Sequence, residues 1–497
     1  MKKFWIVMLA AGLFMAFTMP AIAAVGGVDV KFNGTLRMRG WYDDNATLLK
    51  PKDVNGMGSA TTNGNSQAFY DNRLRVGMEF KVAEGLKLVT RFDALEKKWG
   101  QSGVSPTSGA APFAYTGAAQ LQADGISFER AYVDFNPGIG SIRVGYQDWS
   151  EWGTLFGNSD VSYAGIKYIG AFGPATVVVG IEKRVESKYY DSATSLTNVP
   201  ATSTNDRLNV DMDVYDLGVI YKFTGGEAGV LWQYVKDNTA NYRGSFAVMP
   251  ATYTAPYTRT LNLIDPYVKF KSGPVYVEAE GLYAFGKWAQ YDTSYNAAAV
   301  DQDLSTYGVS LNAEMDFKPF YAGVKFVYLQ GDDPATQDKK EGSIITDLTL
   351  GNVHNFALMY GNYEFFNQIQ ATGWAAKATG VAAAGAAVNP SRARTSINYG
   401  IDNTIAYQGY VGMKPTPKLD VFVAYSYINA QTKPQTNWIS DNIGQEFDLR
   451  ATYKIFDNLS YTIGAGYFFT GDYFKGSDTT AKVDNDYLLM HQLMLSF

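Results

Sequence analysis

The chain has 497 residues, 42 Lys and Arg against 48 Asp and Glu, and no cysteine. Disulfides and thiolate metal sites are therefore excluded, and the mild acidity argues against nucleic acid as a partner. No stretch beyond the N-terminal region reaches the ~18 consecutive apolar residues of a spanning helix, so membrane helices are excluded as well.

In chain order, the first element is a targeting segment. Lys2 and Lys3 precede the apolar run FWIVMLAAGLFMAF, and Pro20 is followed by Ala21-Ile22-Ala23. A short basic region, a short apolar run and small residues at an A-x-A site predict a secretory signal over 1–23, cleaved after Ala23. The mature chain, 24–497, then carries 40 basic against 48 acidic residues, a formal charge of −8 once Lys2 and Lys3 are removed.

Strand signals follow almost without interruption. A first strand is predicted at 28–41. In RLRVGMEFKVAEGLKLVTRFD, residues 73–93, Leu74, Val76, Met78 and Phe80 alternate with Arg73, Arg75, Gly77, Glu79 and Lys81 up to a turn at Ala83-Glu84-Gly85. A period of two over this length marks strands with one apolar and one polar face. The same hairpin pattern is predicted at 128–149, 163–184, 214–236, 263–285, 307–329, 404–428 and 447–469, each with Gly, Pro, Asn or Asp at the reversal. A last strand is predicted at 487–497.

Eighteen strands are joined by eight short links and nine long polar ones, in strict alternation. The predicted fold class is all-β: a transmembrane antiparallel β-barrel of about 18 strands, with short periplasmic turns, long extracellular loops, and 16 or 20 strands as alternatives. The apolar faces, such as Ala175, Val177, Val179 and Ile181 or Leu459, Tyr461, Ile463, Ala465, Tyr467 and Phe469, are expected to meet lipid. The opposite faces, rich in Gly, Ser, Thr, Asn and charge, are expected to line a watery lumen. The long segment 331–400 breaks the pattern; the expectation is a loop folded into the lumen, and the alternative is an extra hairpin within 345–366.

The chain ends YLLMHQLMLSF. Its final Phe497, with Leu495, Leu493 and Leu489 alternating before it, resembles the C-terminal signature of bacterial outer-membrane β-barrel porins. His491 stands where that signature usually has an apolar residue. FERAYVDF (128–135) with IRVGYQDW (142–149) resembles hairpins of eighteen-stranded channels of the alginate-export kind. The resemblance implies an outer-membrane location, lipid and the barrel-assembly machinery as partners, and passive passage of small hydrophilic solutes; a homo-oligomer is left open.

Face assignment selects the residues expected in the pore. Arg37, Arg39, Arg73, Arg75, Arg91, Arg130 and Arg143 form an expected basic wall on the first five strands. Glu278, Glu280, Glu314 and Asp316 form an expected acidic wall on strands eleven and twelve. Opposed walls of charge select ion sign, whereas local pairing would cancel the effect. With two histidines, His354 and His491, and no HExxH or GxSxG, no catalytic residue, metal site or cofactor is expected. The expectation is a porin passing small hydrophilic, anion-leaning solutes, not an enzyme. The alternatives are a barrel sheath around a protein partner such as a cytochrome, and a barrel hydrolase acting on lipid or peptide.

Overall fold

A computed structural model describes residues 28–45, 48, 66–99, 126–149, 151–158, 161–186, 211–240, 257–291, 299–336, 338–342, 356–360, 403–434, 436–477, 479–480 and 482–497. The expected signal over 1–23, His354 and the flanks of the 345–366 hairpin alternative lie outside these residues.

Eighteen strands follow one another: β1 (Asp29–Asp43), β2 (Gln67–Ala83), β3 (Leu86–Lys98), β4 (Ile126–Phe135), β5 (Ser141–Asp148) and β6 (Ser162–Phe172). Then come β7 (Ala175–Val185), β8 (Met212–Phe223), β9 (Gly226–Asp237), β10 (Tyr257–Ser272), β11 (Val275–Tyr291) and β12 (Gln302–Phe317). The ring is completed by β13 (Phe320–Leu329), β14 (Thr404–Thr416), β15 (Leu419–Asn429), β16 (Asn442–Phe456), β17 (Leu459–Thr470) and β18 (Asp486–Ser496). A further two-residue strand, Lys339–Lys340, runs parallel to Asp303 and Leu304 and is not part of the ring.

Every strand pairs antiparallel with its sequence neighbour, and β18 pairs back onto β1, with Leu36 opposite Leu495 and Gly40 opposite His491. At this seam Gly34 and Phe497 exchange both backbone hydrogen bonds, at 2.9 and 3.0 Å. The expected strand number is therefore the observed one, and the eight short links close one rim. Gly173 and Gly225 turn two of these corners with φ of 61° and 87°, a region that favours a residue without Cβ. Closure matters because an unpaired backbone group in hydrocarbon costs several kcal/mol, and a ring of strands leaves no edge.

The outer face carries the predicted apolar residues. On β8, Tyr215, Leu217, Val219, Tyr221 and Phe223 all point outward and are exposed, as are Val179 and Ile181 on β7 and Tyr461, Ile463 and Phe469 on β17. Aromatic pairs gather toward both rims: Tyr42 with Tyr487 (5.7 Å between ring centres) and Tyr467 with Phe469 (4.7 Å) on one side, Phe317 with Phe320 and Phe223 with Phe270 (6.2 Å each) on the other. An apolar wall between aromatic girdles is what a bilayer requires. The protein is an outer-membrane β-barrel, and its localisation is the bacterial outer membrane.

The inner face departs from expectation in the extracellular half of β8–β13. There it is apolar: Val214, Val235, Leu261, Leu263, Leu282, Val327 and Leu329 point inward and are buried. Leu263 is 2% exposed, against 46% for the outward Leu217. These side chains do not meet water, because described pieces of the long loops fill the space in front of them. Phe156, Phe356, Met359, Tyr360, Trp438, Tyr473 and Phe474 complete one continuous apolar cluster inside the barrel.

Candidate functional site: a lumen narrowed by two pinned loops

The cluster inside the barrel draws its buried strand members from β1 and from β8–β18. The inner face of β2–β7 contributes none among the described residues, and it is there that the expected basic residues converge. Register places Arg37 opposite Arg73, Thr35 opposite Arg75, Gly77 opposite Arg91, Arg91 opposite Arg130, and Asp134 opposite Arg143. All seven predicted arginines therefore share one contiguous inner surface on β1–β5.

Carboxylates interleave with them. Arg39 meets Asp71 at 2.9 Å, Arg75 meets Asp93 at 2.7 Å, Arg130 meets Asp148 at 2.5 Å and Arg143 meets Asp134 at 3.3 Å. Arg73 lies 3.9 Å from the same Asp93 and 3.6 Å from the exposed Glu96. Glu79 meets Lys87 at 2.9 Å and Glu151 meets Arg130 at 3.1 Å, so with Glu96 seven carboxylates stand among the seven guanidiniums, Lys87 and Lys167; much of the basic charge is paired, and the positive excess on this surface is small.

The residues expected as an acidic wall have separate fates. Glu278 accepts hydrogen bonds from the Tyr276 hydroxyl (2.7 Å) and from Asn312 (3.3 Å). Glu314 accepts one from the Tyr410 hydroxyl at 3.0 Å, and Asp316 lies half-buried near the periplasmic turn. Glu280 points inward but is only 2% exposed, because the loop after β5 lies over it. Its Oε2 accepts the backbone N–H of Thr154 (2.8 Å) and of Gly157 (3.1 Å), as well as the Thr154 hydroxyl. The role of Glu280 in this structure is to hold a loop.

That loop, of which Trp149 and residues 151–158 are described, crosses the inner wall on a track of glycines. The Trp149 ring occupies the space beside Gly165 and Gly180 where side chains would stand, and Trp152 does the same at Gly218 and Gly229. Trp152 donates its indole N–H to the Asp265 carbonyl (3.1 Å) and meets Tyr267 edge to face at 5.4 Å. Phe156 packs beside Gly308. Gly153, with φ of 58°, makes the bend directly against the Glu280 carboxylate, where a side chain has neither a favourable backbone shape nor room.

A second loop is held by the same chemistry across the barrel. Glu446 accepts the backbone N–H of Met359 (2.6 Å) with one oxygen and that of Tyr360 (2.7 Å) with the other. Its inner-face neighbour Asp448 accepts the N–H of Leu358 at 3.2 Å. Gln408 donates to the Phe356 carbonyl at 2.5 Å, and the Tyr360 hydroxyl meets Thr404 at 2.5 Å. A carboxylate that receives successive backbone N–H groups is well satisfied even when buried, since charge-assisted hydrogen bonds offset its lost hydration. Of the segment 331–400, residues 356–360 lie inside the barrel, and 343–355 and 361–400 lie outside the described residues.

Sequence reasoning missed Glu446, Asp448 and Asp265, and the anchors Trp149, Trp152, Phe156 and Tyr360. A signal was present: WSEWGTLFG and FALMY are too apolar for solvated connections. His491 projects outward between the rings of Tyr70 (5.5 Å) and Tyr461 (5.8 Å). Among the described residues no group of three or more His, Asp or Glu is placed to hold a metal ion.

No protein-family model and no curated protein matches the chain. Among solved structures, the chain is similar to OpdQ of Pseudomonas aeruginosa, with 10% identity over 94% of this chain and 97% of that one and a TM-score of 0.45. It is similar to a BenF-like porin from Pseudomonas fluorescens Pf-5, with 11% identity over 94% and 99% and a TM-score of 0.46. It is also similar to the outer membrane channel DcaP of Acinetobacter baumannii, with 12% identity over 96% and 100% and a TM-score of 0.40. The barrel of this chain is established by its own closed hydrogen-bond ladder.

Proposed function

We propose that this barrel is a porin: a passive channel for small hydrophilic solutes, biased toward anions, with no catalytic step. The observation that carries the reading is the asymmetry of the lumen. One arc of the inner wall, β8–β18, is covered by apolar packing and pinned loops, whereas strands β2–β7 carry twelve Arg and Lys against eight Asp and Glu. A water-filled path along that arc is off-centre and narrower than the barrel, and its fixed charge is positive. Anions gain from such a wall while cations are repelled, because charged walls act at close range in a confined, poorly screened passage.

The function of the arginine wall is tested by planar-bilayer recording of the refolded mature protein under a KCl gradient. The wild type is expected to conduct, with a reversal potential displaced toward the chloride value. Two unit charges ~4 Å apart interact by roughly 4 kcal/mol at an effective dielectric near 20, so each unscreened arginine matters to a passing ion. Replacing Arg73 and Arg75 by Gln removes two positive charges and leaves Asp93 without its partners. The anion-to-cation permeability ratio is then expected to fall severalfold, toward or past unity. An unchanged ratio in a variant that still conducts sinks the role of this wall. A folded wild type that never conducts sinks the channel reading.

A further inference from the structure

Two carboxyl groups meet beneath the loop that follows β5. Glu280 on β11 and Asp265 on β10 are each only 2% exposed. Oε2 of Glu280 is taken by the loop, through the backbone N–H groups of Thr154 and Gly157 and the Thr154 hydroxyl. Oε1 of Glu280 has no donor, and together with Oδ2 of Asp265 it faces the bare Cα of Gly157. The two side chains lie within hydrogen-bonding reach of each other. The Asp265 carboxyl takes no other partner among the described residues, and its Oδ1 is buried without one. Asp265 also holds the loop by its main chain, since its carbonyl accepts the Trp152 indole N–H at 3.1 Å. Both attachments of the loop therefore converge on this pair.

No cation neutralises the pair. Among the described residues neither carboxyl forms an ion pair with Lys or Arg, and the charged group that bears on Asp265 is Glu280 itself. The charges on every surrounding element have other partners. On β10, Tyr267 donates its hydroxyl to Glu227 of β9 at 3.1 Å, and Lys269 reaches the same Glu227 at 3.8 Å. On β11, Glu278 is occupied by Tyr276 and Asn312. The strands on either side place Leu231 of β9 opposite Asp265 and Ser310 of β12 opposite Glu280. The one charge within 151–158 of the loop, Glu151, is paired with Arg130 at 3.1 Å.

A buried carboxylate with neither donor nor counter-ion carries a heavy desolvation penalty, and two in contact also repel. One proton removes both penalties, because a neutral carboxyl has a hydroxyl hydrogen to give and an ionised neighbour accepts it well. We infer that a neutral Asp265 donates its hydroxyl hydrogen to Glu280 and so positions the carboxylate that seats the loop, which makes the seat of the loop sensitive to pH. Once the loop leaves, water from the lumen reaches the pair and both carboxyls ionise in their ordinary range. The seated state therefore binds one proton more than the released state. Its advantage is fully present below that ordinary range and is lost as pH rises. The seated-to-released ratio falls by about tenfold per pH unit until the seated pair itself ionises. Asp265 is thus a positioning residue that acts through Glu280. The inference concerns the seat of the loop and stands apart from conduction.

The test is hydrogen exchange of the folded protein in detergent, from weakly acidic to alkaline pH. Rates are expressed as protection factors, which divide out the intrinsic pH dependence of exchange. In the wild type, protection of the Thr154 and Gly157 amides is expected to fall by up to about tenfold per pH unit. Amides of Leu263 and Leu282, on the same two strands, are expected to keep their protection because the barrel itself stays closed. In Asp265→Asn a side-chain N–H donates to Glu280 in place of the hydroxyl and cannot ionise. Thr154 and Gly157 are then expected to stay protected with no slope against pH. Glu280→Gln also removes the shared proton, since its amide donates to an ionised Asp265, and weaker protection without a slope is expected. Flat protection in the wild type overturns the inference. So does a fall shared by Leu263 and Leu282, or one that persists undiminished in Asp265→Asn. The wild-type profile is decisive even where neither variant folds, and heat-modified gel mobility identifies the variants that do.

Discussion

Replacing Glu446 with alanine is expected to loosen the inserted loop at 356–360 and to raise the conductance of the channel. The side chain accepts two backbone N–H groups, Met359 at 2.6 Å and Tyr360 at 2.7 Å, and is itself buried. Each charge-assisted bond is worth about 1.5–3 kcal/mol, so the pair, at about 3–6 kcal/mol, would shift the docked-to-released ratio of the loop by roughly a hundredfold to ten-thousandfold if nothing opposed it. Two terms oppose release. Met359 and Tyr360 remain buried against the apolar cluster, and burial of such side chains holds about 1.5–3 kcal/mol apiece. Removing Glu446 also relieves its repulsion with the adjacent Asp448. Glu446→Ala is therefore expected to speed hydrogen exchange at the Met359 and Tyr360 amides by up to about a hundredfold, with intermittent openings in single-channel records. Adding Tyr360→Ala should convert those openings into a steady larger conductance. Glu280→Ala tests the other loop in the same way through the amides of Thr154 and Gly157. Wild-type exchange rates in Glu446→Ala would mean that apolar packing alone seats the loop.

The second large effect concerns which face meets lipid. Leu217 lies near the middle of β8, points outward, and faces Val179 and Trp232 on its two neighbours. An arginine at the bilayer midplane of a barrel costs about 2–4 kcal/mol, falling toward zero near the interfaces. Leu217→Arg is thus expected to lower the unfolding free energy in urea, measured on protein refolded into vesicles, by about that amount. Thr462 is the control. It lies on the inner face of β17, where its hydroxyl meets that of Thr452 at 3.0 Å and its cross-strand neighbour is Gln492. Thr462→Arg adds the same charge to a polar wall and is expected to cost less than about 1 kcal/mol, as surface substitutions usually do. Equal losses in the two variants would contradict the assignment of faces.

Legibility in the sequence followed the range of the interactions. Leu217 and Val219 could be assigned outward because a strand exposes alternate residues to one medium, and a uniform medium such as lipid imposes a uniform residue type. The same alternation brought Arg37, Arg73, Arg91 and Arg143 onto one inner surface, since their faces follow from parity once each strand is recognised. Leu261, Leu263 and Leu282 read poorly for the opposite reason. They face inward but meet protein, and nothing local distinguishes a leucine covered by a distant loop from one covered by lipid. Glu280 shows the limit most clearly. Parity put it in the lumen, yet its partners Thr154 and Gly157 lie 126 and 123 residues earlier in the chain.

By itself, then, the sequence determined the strands, their number, their order around the ring and the side each residue takes, because period-two patterning and turn chemistry act over a few residues. Only the tertiary structure decided what fills the ring. Which carboxylate captures a loop, which glycines seat Trp149 and Trp152, and which arc of the wall stays open all depend on contacts made across the lumen. Those contacts exist only after closure, when residues far apart in sequence come within hydrogen-bonding distance of one another.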